Sequence, residues 1–342
     1  MAGQRRGTQG APSLSDVARL AGVSAQTVSR VSMGAGNVRP ATREKVLKAM
    51  NQLGYSPNRA AQALRRGSFR AIGVLTQQIQ RTGEALTTAG VLEAATRADY
   101  TVNLVQVERP ESEDLRQAVY RLSHQAVDGL VVVQAGRAGP EHLSLPPTLP
   151  VAVSDSALVG YYPSASADQV GGVRDAVGHL LALGHRTVHH VSGPEGSQSA
   201  LIRKATWAAC LREAGAPVPE PVPGDWEAAA GYKAGLHLAA DPDVTAVFCG
   251  NDEVALGLIR AMHEQGRRVP QDVSVMGFDG LDLGEYSFPP LTTIRQDFKR
   301  HGREMVALVL EQVTTGPVDG SRSVIIPTEL VLRGSTTPPP TR

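Results

Sequence analysis

The chain has 342 residues, of which 42% are apolar and 20% charged, and its formal net charge is +1. This composition is typical of a globular protein, and the length predicts two or three domains. No apolar run approaches the roughly 18 residues that a membrane-spanning helix needs. The arginines of the N-terminus have no apolar core behind them, which argues against a secretory signal. We therefore expect a cytoplasmic protein without a membrane partner.

The near-zero net charge hides an uneven distribution. Residues 1–70 contain 12 Lys and Arg against 2 Asp and Glu, whereas residues 71–342 contain 22 against 31. The first segment thus carries +10 and the remainder −9. A basic segment on an acidic body indicates that the first segment alone binds a polyanion. The alternative is a solvated basic tail, but most of these charges lie in sequence with helical periodicity.

Three short helices are predicted after a polar tip, residues 1–12, which we expect to be disordered. The first covers Leu14–Ala21, whose apolar residues recur at helical spacing. Gly22 ends it, because glycine tolerates the positive φ of a tight turn. Ser24 caps a second helix over residues 25–33, and a third covers about residues 41–53. The pattern is that of a helix-turn-helix unit.

The outward face of the second predicted helix carries polar side chains. A helix-turn-helix unit lays this helix in the major groove of DNA. There Gln26 can form two hydrogen bonds with adenine and Arg30 two with guanine. Ser24, Thr27 and Ser29 suit phosphate oxygens. The basic surroundings favour a DNA-binding unit over the alternative, a three-helix unit whose outer face is merely solvated.

From residue 71 onward, short apolar runs alternate with helical stretches. The runs are AIGVLTQ, YTVNLVQV, VDGLVVVQ, PVAVSD, TVHHVSGP, VTAVFCGN and DVSVMGFD, and the predicted helices cover 84–98, 111–125, 170–183, 198–213, 227–239 and 253–265. Continuous apolar strands separated by helices are typical of a parallel sheet covered on both faces. Because these units are too many for one small sheet, we predict an α/β core of two doubly wound parallel-sheet lobes.

The core shows no pattern typical of an enzyme or a metalloprotein. VSGPEGS has the spacing of neither a dinucleotide-binding nor a phosphate-binding loop. His185, His189 and His190 cluster, but adjacent residues of a strand point to opposite faces, and no cysteine or carboxylate cluster accompanies them. Cys210 and Cys249 lie in apolar runs typical of buried, reduced thiols. We predict no catalytic residue, metal or cofactor.

Two runs, LSDVARLAGVSAQTVSRV and VRPATREKVLKAMNQLGYSPNRAAQAL, resemble the DNA-binding head and hinge of the lac repressor (LacI/GalR) family of bacterial transcription regulators. LLALGHRTVHHVSGP, NDEVALGLIRAMHEQGRRVPQDVSVMGFDG and PPLTTIRQDF are similar to that family's effector-binding core. The resemblance covers residues 13–334, and SAQTVSRV, GDW and TTIRQDF are most similar to the member that gives the family its name.

The resemblance implies a definite division of the chain. It implies a helix-turn-helix head over 13–57, a hinge helix over 58–69 and a core like that of periplasmic sugar-binding proteins over 70–334. In the core, the N-lobe takes about 70–167 and 298–326, and the C-lobe about 168–297 and 327–334. The proline-rich end, residues 335–342, is expected to be a disordered tail.

For the DNA-binding part, the resemblance implies that Ala25 and Gln26 specify the operator. It also implies a hinge that folds only on DNA, where Leu64 enters the minor groove, Ala61 lets two hinges approach, and Asn58 belongs to the contact set. An apolar wedge of this kind unstacks and kinks the duplex; the alternative for Leu64 is a core residue that covers the linker. The family's named member has a tyrosine in place of Ala25, so we expect a related but different operator.

For the core, the resemblance implies a sugar site in the cleft between the lobes. A sugar site needs planar polar side chains and an aromatic platform, and most of the matching residues follow a predicted strand. These residues are Asp155, Ser199, Arg203, Trp226, Asn251, Asp279, Gln296 and Phe298. The alternatives are strand-end turn residues for Asn251 and Asp279, surface packing for Trp226, and a solvated helix charge for Arg203.

These inferences predict a repressor of sugar-utilisation genes that binds a pseudo-palindromic operator as a homodimer and is released by a galactoside or other glycoside. Gln77, Arg81 and Thr87 replace apolar residues at the N-lobe rim, which predicts a more polar ligand such as one with a second sugar. The chain ends in TTPPPTR, not in the leucine-heptad tail that makes tetramers. The alternatives are a purine-type corepressed repressor, against which Trp226 weighs, and a solute-binding protein for sugar transport.

Overall fold

The computed structural model describes residues 12–33, 37–56, 67–107, 113–124, 127–134, 136, 138–140, 143, 145–154 and 156–341. The chain divides into two compact units, residues 1–69 and 70–342. Within the described ranges, no helix has the length and apolar character needed to cross a bilayer.

The first unit consists of three helices, α1 (Leu14–Ala21), α2 (Ala25–Ser32) and α3 (Pro40–Leu53). As predicted, Gly22 ends α1 with φ 66°, and the Ser24 hydroxyl accepts a hydrogen bond from Thr27 N as the N-cap of α2. The core of the unit is apolar, with Val28 and Val46 fully buried. The predicted helix-turn-helix arrangement is therefore present.

The sequence places a hinge helix over residues 58–69. Residues 58–66 lie outside the described residues. The last three, 67–69, are not helical; Gly67 forms a turn with φ 68°. The predicted C-terminal boundary of this helix is therefore wrong, because a turn precedes the first strand of the core.

The second unit contains two sheets, one in each lobe. The N-lobe strands are β1 (Ala71–Thr76), β2 (Thr101–Gln106), β3 (Gly129–Val132), β4 (Val151–Val153), β5 (Ser164–Ala167) and β10 (Ser323–Ile326), in the order β10-β5-β4-β3-β1-β2. The C-lobe strands are β6 (His189–Val191), β7 (Ala246–Cys249), β8 (Ser274–Asp279), β9 (Thr292–Arg295) and β11 (Glu329–Val331), in the order β11-β9-β8-β7-β6. The pairs are parallel except β11–β9.

Seven described α-helices and a 3-10 helix, Asp282–Glu285, accompany the sheets. The α-helices are α4 (Thr82–Arg97), α5 (Glu113–His124) and α10 (Phe298–Thr315) in the N-lobe, and α6 (Gln169–Ala182), α7 (Gln198–Glu213), α8 (Ala228–Ala239) and α9 (Asp252–Glu264) in the C-lobe. Apolar clusters cover both faces of both sheets. Helices α8 and α9 cross closely, because a Cβ on Gly257 would lie 1.9 Å from the Ala228 carbonyl oxygen. The predicted two-lobed α/β core is thus observed.

Three segments carry the chain between the lobes. The first crossover joins β5 to α6 at Asp168, the second joins β9 to α10 at residues 296–297, and the third joins β10 to β11 at residues 327–328. Asp168 N donates to Ile326 O at 2.8 Å, which ties the first crossover to the end of β10. The first and third crossovers therefore lie side by side where the chain passes between the lobes.

The expected disorder of residues 335–342 is wrong over most of its length. Ser335 is fully buried, and its Oγ accepts from Thr292 N at 2.8 Å and donates to Val275 O at 2.6 Å. Thr337 exchanges hydrogen bonds with the Ser274 hydroxyl, and His185 Nε2 donates to Thr337 O at 3.0 Å. Prolines prevent a helix here, but they do not prevent an extended segment from binding strand ends.

Candidate functional site

The second helix of the first unit presents the polar face that the sequence predicts. Val28 and Val31 point into the core, whereas Ala25, Gln26 and Arg30 are exposed. Ser24 is also exposed, and Thr27 and Ser29 are half-buried.

The hydroxyls of Ser24 and Thr27 lie 2.9 Å apart, and Ser24 also caps the helix. Both side chains therefore help to begin α2. The hinge residues Asn58, Ala61 and Leu64 lie outside the described residues.

The second unit contains a cleft of about 700 Å³, including its open mouth, between the two lobes. The N-lobe wall comprises Arg81, Thr82, Gly83, Glu84, Thr87, Val133, Gln134, Ser154, Phe298 and His301, and the C-lobe wall comprises Gln169, Ser197, Ser199, Arg203, Trp226, Asn251, Glu253, Asp279 and Gln296. Seven of the eight residues predicted for the effector site line this cleft; the eighth, Asp155, lies outside the described residues.

Arg203 occupies the floor of the cleft and is held on several sides. Its side chain is buried; its guanidinium carbon lies 3.8 Å from the centre of the Phe278 ring and 5.4 Å from that of Trp226. Nη1 donates to Gly250 O at 2.5 Å, and Nη2 lies 3.5 Å from Asp279 Oδ1. A buried guanidinium fixed in this way can present hydrogen-bond donors to a ligand without reorganising. The alternative of a solvated helix charge is wrong, since the side chain is not exposed.

A closed ring of four side chains surrounds this ion pair. Arg203 Nε donates to Gln169 Oε1 at 2.8 Å, and Gln169 Nε2 donates to Gln296 Oε1 at 3.2 Å. Gln296 Nε2 then donates to Asp279 Oδ1 at 2.7 Å, and Asp279 pairs with Arg203. All four residues are at most 9% exposed. Gln169 is not predicted from the sequence, because the strand before it, SASA, is too polar and too short to be recognised.

Asp279 combines a strained backbone with a perturbed carboxyl. Its φ of 117° is one that non-glycine residues rarely adopt, and such strain is concentrated at functional sites. Burial raises the pKa of Asp279 to about 6, although Arg203 and the hydrogen bond from Gln296 oppose the rise.

The neighbouring Asp252 is fully buried, and burial together with the charge of Asp279 raises its pKa to about 7. Thr293 Oγ1 and Leu281 N donate to its carboxylate. Asp252 therefore supports the backbone next to Asp279 and was not predicted as part of the site.

Trp226 forms an aromatic wall of the cleft. It packs directly on Gly193, where a Cβ would lie 2.4 Å from the indole ring. Asn251 fixes this wall from behind: its Nδ2 donates to Trp226 O at 3.0 Å while its Oδ1 caps α9 by accepting from Val254 N. Asn251 thus has the structural role that the sequence offered as its alternative, although it also faces the cleft.

Polar and charged residues make up much of the N-lobe wall. The Glu84 carboxylate accepts hydrogen bonds from Thr76 Oγ1 and from the backbone N–H groups of residues 77 and 78. Across the mouth, Thr82 Oγ1 donates to Glu253 of the C-lobe. Arg81 and Thr87 line the wall as predicted, whereas Gln77 supplies its backbone N–H to Glu84.

Comparisons with known proteins agree with both units. A family model described as bacterial regulatory proteins, lacI family, matches residues 13–58, and one described as periplasmic binding protein-like domain matches residues 177–336. The lactose operon repressor of Escherichia coli (strain K12) is 37% identical over 96% of this chain and 92% of its own length. The transcriptional repressor PurR of Haemophilus influenzae (strain PittEE) is 32% identical over 94% of this chain and 98% of its own length.

Among solved structures, the lac repressor dimer bound to operator and the anti-inducer ONPF matches with a TM-score of 0.86 and 34% sequence identity. It covers 95% of this chain and 99% of that one. The sequence identity and the structural match both extend over nearly the whole chain, which includes the helix-turn-helix unit and both lobes. The chain therefore belongs to the lacI family of bacterial regulatory proteins.

Proposed function

We propose that this protein is a homodimeric transcriptional repressor whose affinity for a pseudo-palindromic operator is lowered when a glycoside binds in the cleft. The observation that carries the proposal is the buried Arg203–Asp279 pair next to the indole of Trp226. A sugar presents hydroxyls that both donate and accept and one apolar face, and this site offers a donor, an acceptor and an aromatic surface.

The polar N-lobe wall supports a ligand that extends beyond one sugar ring. Glu84, Arg81 and Thr87 offer hydrogen-bonding groups opposite the C-lobe wall. A disaccharide or a glycoside with a polar aglycone satisfies both walls at once. Because such a ligand contacts both lobes, its binding favours one relative position of the lobes over another.

On the DNA side, Gln26, Arg30 and Ala25 form the surface that reads bases, with Ser24, Thr27 and Ser29 at the phosphates. The hinge with Asn58, Ala61 and Leu64 belongs to this proposal through the family resemblance. Two units of one dimer read the two half-sites of the operator. Thermodynamic linkage requires that operator DNA weaken glycoside binding by the same factor as the glycoside weakens operator binding.

The test begins with an operator selected from random DNA by the purified full-length chain. Fluorescence anisotropy then measures operator affinity with and without galactosides, other mono- and disaccharides, guanine and hypoxanthine. A glycoside that raises the melting temperature and weakens operator binding supports the proposal. Stabilisation by purines alone, with tighter operator binding, would support the purine-type alternative and overturn the sugar assignment. A sedimentation experiment at micromolar protein should give a dimer, and a stable tetramer would contradict it.

Two pairs of variants separate the sites. Asp279→Asn removes a charged acceptor and should weaken binding of the active glycoside by about 10- to 100-fold, whereas Asp175→Asn on the exposed face of α6 should have no effect. Gln26→Ala should weaken specific operator binding by about 10- to 100-fold and spare non-specific binding, whereas Gln52→Ala in α3 should change neither. Equal effects within either pair would refute the assignment of that site.

A further inference from the structure

The ring at the cleft floor joins two of the three crossovers between the lobes. Gln169 is the first residue of α6, directly after the first crossover, and Gln296 lies in the second crossover. The Gln169 Nε2 to Gln296 Oε1 hydrogen bond, at 3.2 Å, therefore ties these two connections together. The other two members of the ring, Arg203 and Asp279, form the ion pair assigned above to the ligand.

We propose that Gln169 is a positioning residue that couples occupancy of the Arg203–Asp279 pair to the relative position of the two lobes. The proposal rests on the proposed function for the identity of the ligand, but not for the mechanical link. Gln169 is 4% exposed, and its Oε1 accepts from Arg203 Nε at 2.8 Å while its Nε2 donates to the second crossover. One side chain thus contacts both the ion pair and the second crossover.

The ring has a fixed polarity that gives residue 169 its chemistry. Arginine only donates, and an ionised aspartate only accepts. Gln296 must therefore turn its NH₂ group to Asp279 and its carbonyl oxygen to residue 169. Residue 169 must accept from Arg203 and donate to Gln296 at the same time, which an amide of this length does.

The polarity also explains how a ligand bound at the ion pair affects the crossovers. A ligand hydroxyl that donates to Asp279 shares the carboxylate with Gln296, and one that accepts from Arg203 shares the guanidinium with Gln169. Either contact changes the hydrogen bonds at one end of the ring and, through the two amides, the link between the crossovers. Buried side-chain networks respond as a unit, because each bond polarises the next.

Two substitutions separate the two bonds of Gln169. Gln169→Glu retains an acceptor for Arg203 but has no donor for Gln296, whose amide cannot turn without opposing Asp279. Gln169→Met retains the length of the side chain but loses both bonds. Gln117→Glu and Gln117→Met on the exposed face of α5 are the matched controls.

The first measurement needs no ligand. Hydrogen exchange of the full chain should speed up by about tenfold in peptides that cover the first and second crossovers. Both Gln169 variants should show this change, because both lose the hydrogen bond from residue 169 to Gln296. Exchange in the sheet centres of both lobes should stay unchanged, as should all peptides in the Gln117 variants. Unchanged exchange at the crossovers, or equal acceleration throughout the C-lobe, would overturn the proposal.

The second measurement uses isopropyl thio-β-galactoside as the probe and the selected operator. The ratio of operator affinity without probe to operator affinity at saturating probe should shrink by about tenfold in both Gln169 variants. A variant that binds the probe more weakly but keeps the full loss of affinity at saturation would show that Gln169 serves ligand binding alone, which overturns the proposal. If the wild-type chain does not bind the probe, the galactoside assignment fails, and the hydrogen-exchange result still decides the role of Gln169. If Gln169→Met does not fold, Gln169→Glu, which keeps the Arg203 bond, decides both measurements.

Discussion

Replacement of Ser335 by alanine tests whether the C-terminal segment is part of the C-lobe. The Ser335 hydroxyl is fully buried between two strands, where it accepts from Thr292 N and donates to Val275 O. The backbone hydrogen bond from Val275 N to Ser335 O remains in the variant. The change therefore removes two hydrogen bonds and leaves a buried N–H group and a buried carbonyl without their side-chain partner.

The magnitude follows from those two groups. A buried polar group that loses its partner costs about 1–3 kcal/mol, so the loss of partner for two groups in Ser335→Ala should lower the free energy of unfolding by about 2–6 kcal/mol. For a unit of this size, each kcal/mol lowers the melting temperature by about 2 °C. The expected shift is a decrease of about 4–12 °C.

Intrinsic fluorescence is a suitable assay, because both tryptophans of the chain, Trp207 and Trp226, lie in the C-lobe. Ser321→Ala is the matched control, since its hydroxyl donates to Asp319 in an exposed turn; it should shift the melting temperature by less than about 2 °C. Equal melting temperatures for Ser335→Ala and wild type, or an unchanged melting temperature after truncation at Gly334, would show that the segment is not bound and would refute the reasoning.

Two further predictions concern the C-lobe. Gly257→Ala should destabilise it by more than about 3 kcal/mol, because the new Cβ would lie 1.9 Å from the Ala228 carbonyl oxygen. Gly178→Ala, in open space on α6, should instead stabilise it by about 0.5–1 kcal/mol. Thermal melts of both variants measure this difference. Burial raises the pKa of Asp252 from 3.8 to about 7 and that of Asp279 to about 6, so between pH 4 and pH 7 the folded chain binds more protons than the unfolded chain. The stabilisation that these groups contribute below pH 4 is therefore lost as the pH rises to 7. Asp252→Asn should reduce the fall in melting temperature between pH 5 and pH 8. An identical fall in the variant would contradict the raised pKa of Asp252.

Local sequence was sufficient for the first unit. Gly22 and Ser24 predict the turn and the start of α2 by their own backbone and hydroxyl chemistry, and both are observed in these roles. Helix α7 begins and ends at the predicted residues, Gln198 and Glu213, and its N-cap, Ser197, directly precedes it. Interactions between residues close in sequence are visible in the sequence.

Local sequence was not sufficient where a segment takes its conformation from distant partners. Strand β5 reads SASA and has no apolar run, yet all four residues are buried because β4 and β10 pair with it. The segment around Ser335 has no pattern of its own, and strands 43 and 60 residues away supply its hydrogen bonds. Proline content excluded a helix there and wrongly suggested disorder.

The sequence by itself determined the order of the units, the exposed polar face of α2 and, through a family resemblance, seven of the residues that line the cleft. Only the tertiary structure decided how those residues act together. Arg203, Asp279 and Gln296 could be predicted singly, but Gln169 completes their ring from a position that carries no motif. The physical reason is that a hydrogen-bonded ring depends on distances between chain segments 17 to 127 residues apart, and such distances exist only after these segments have packed in the tertiary structure.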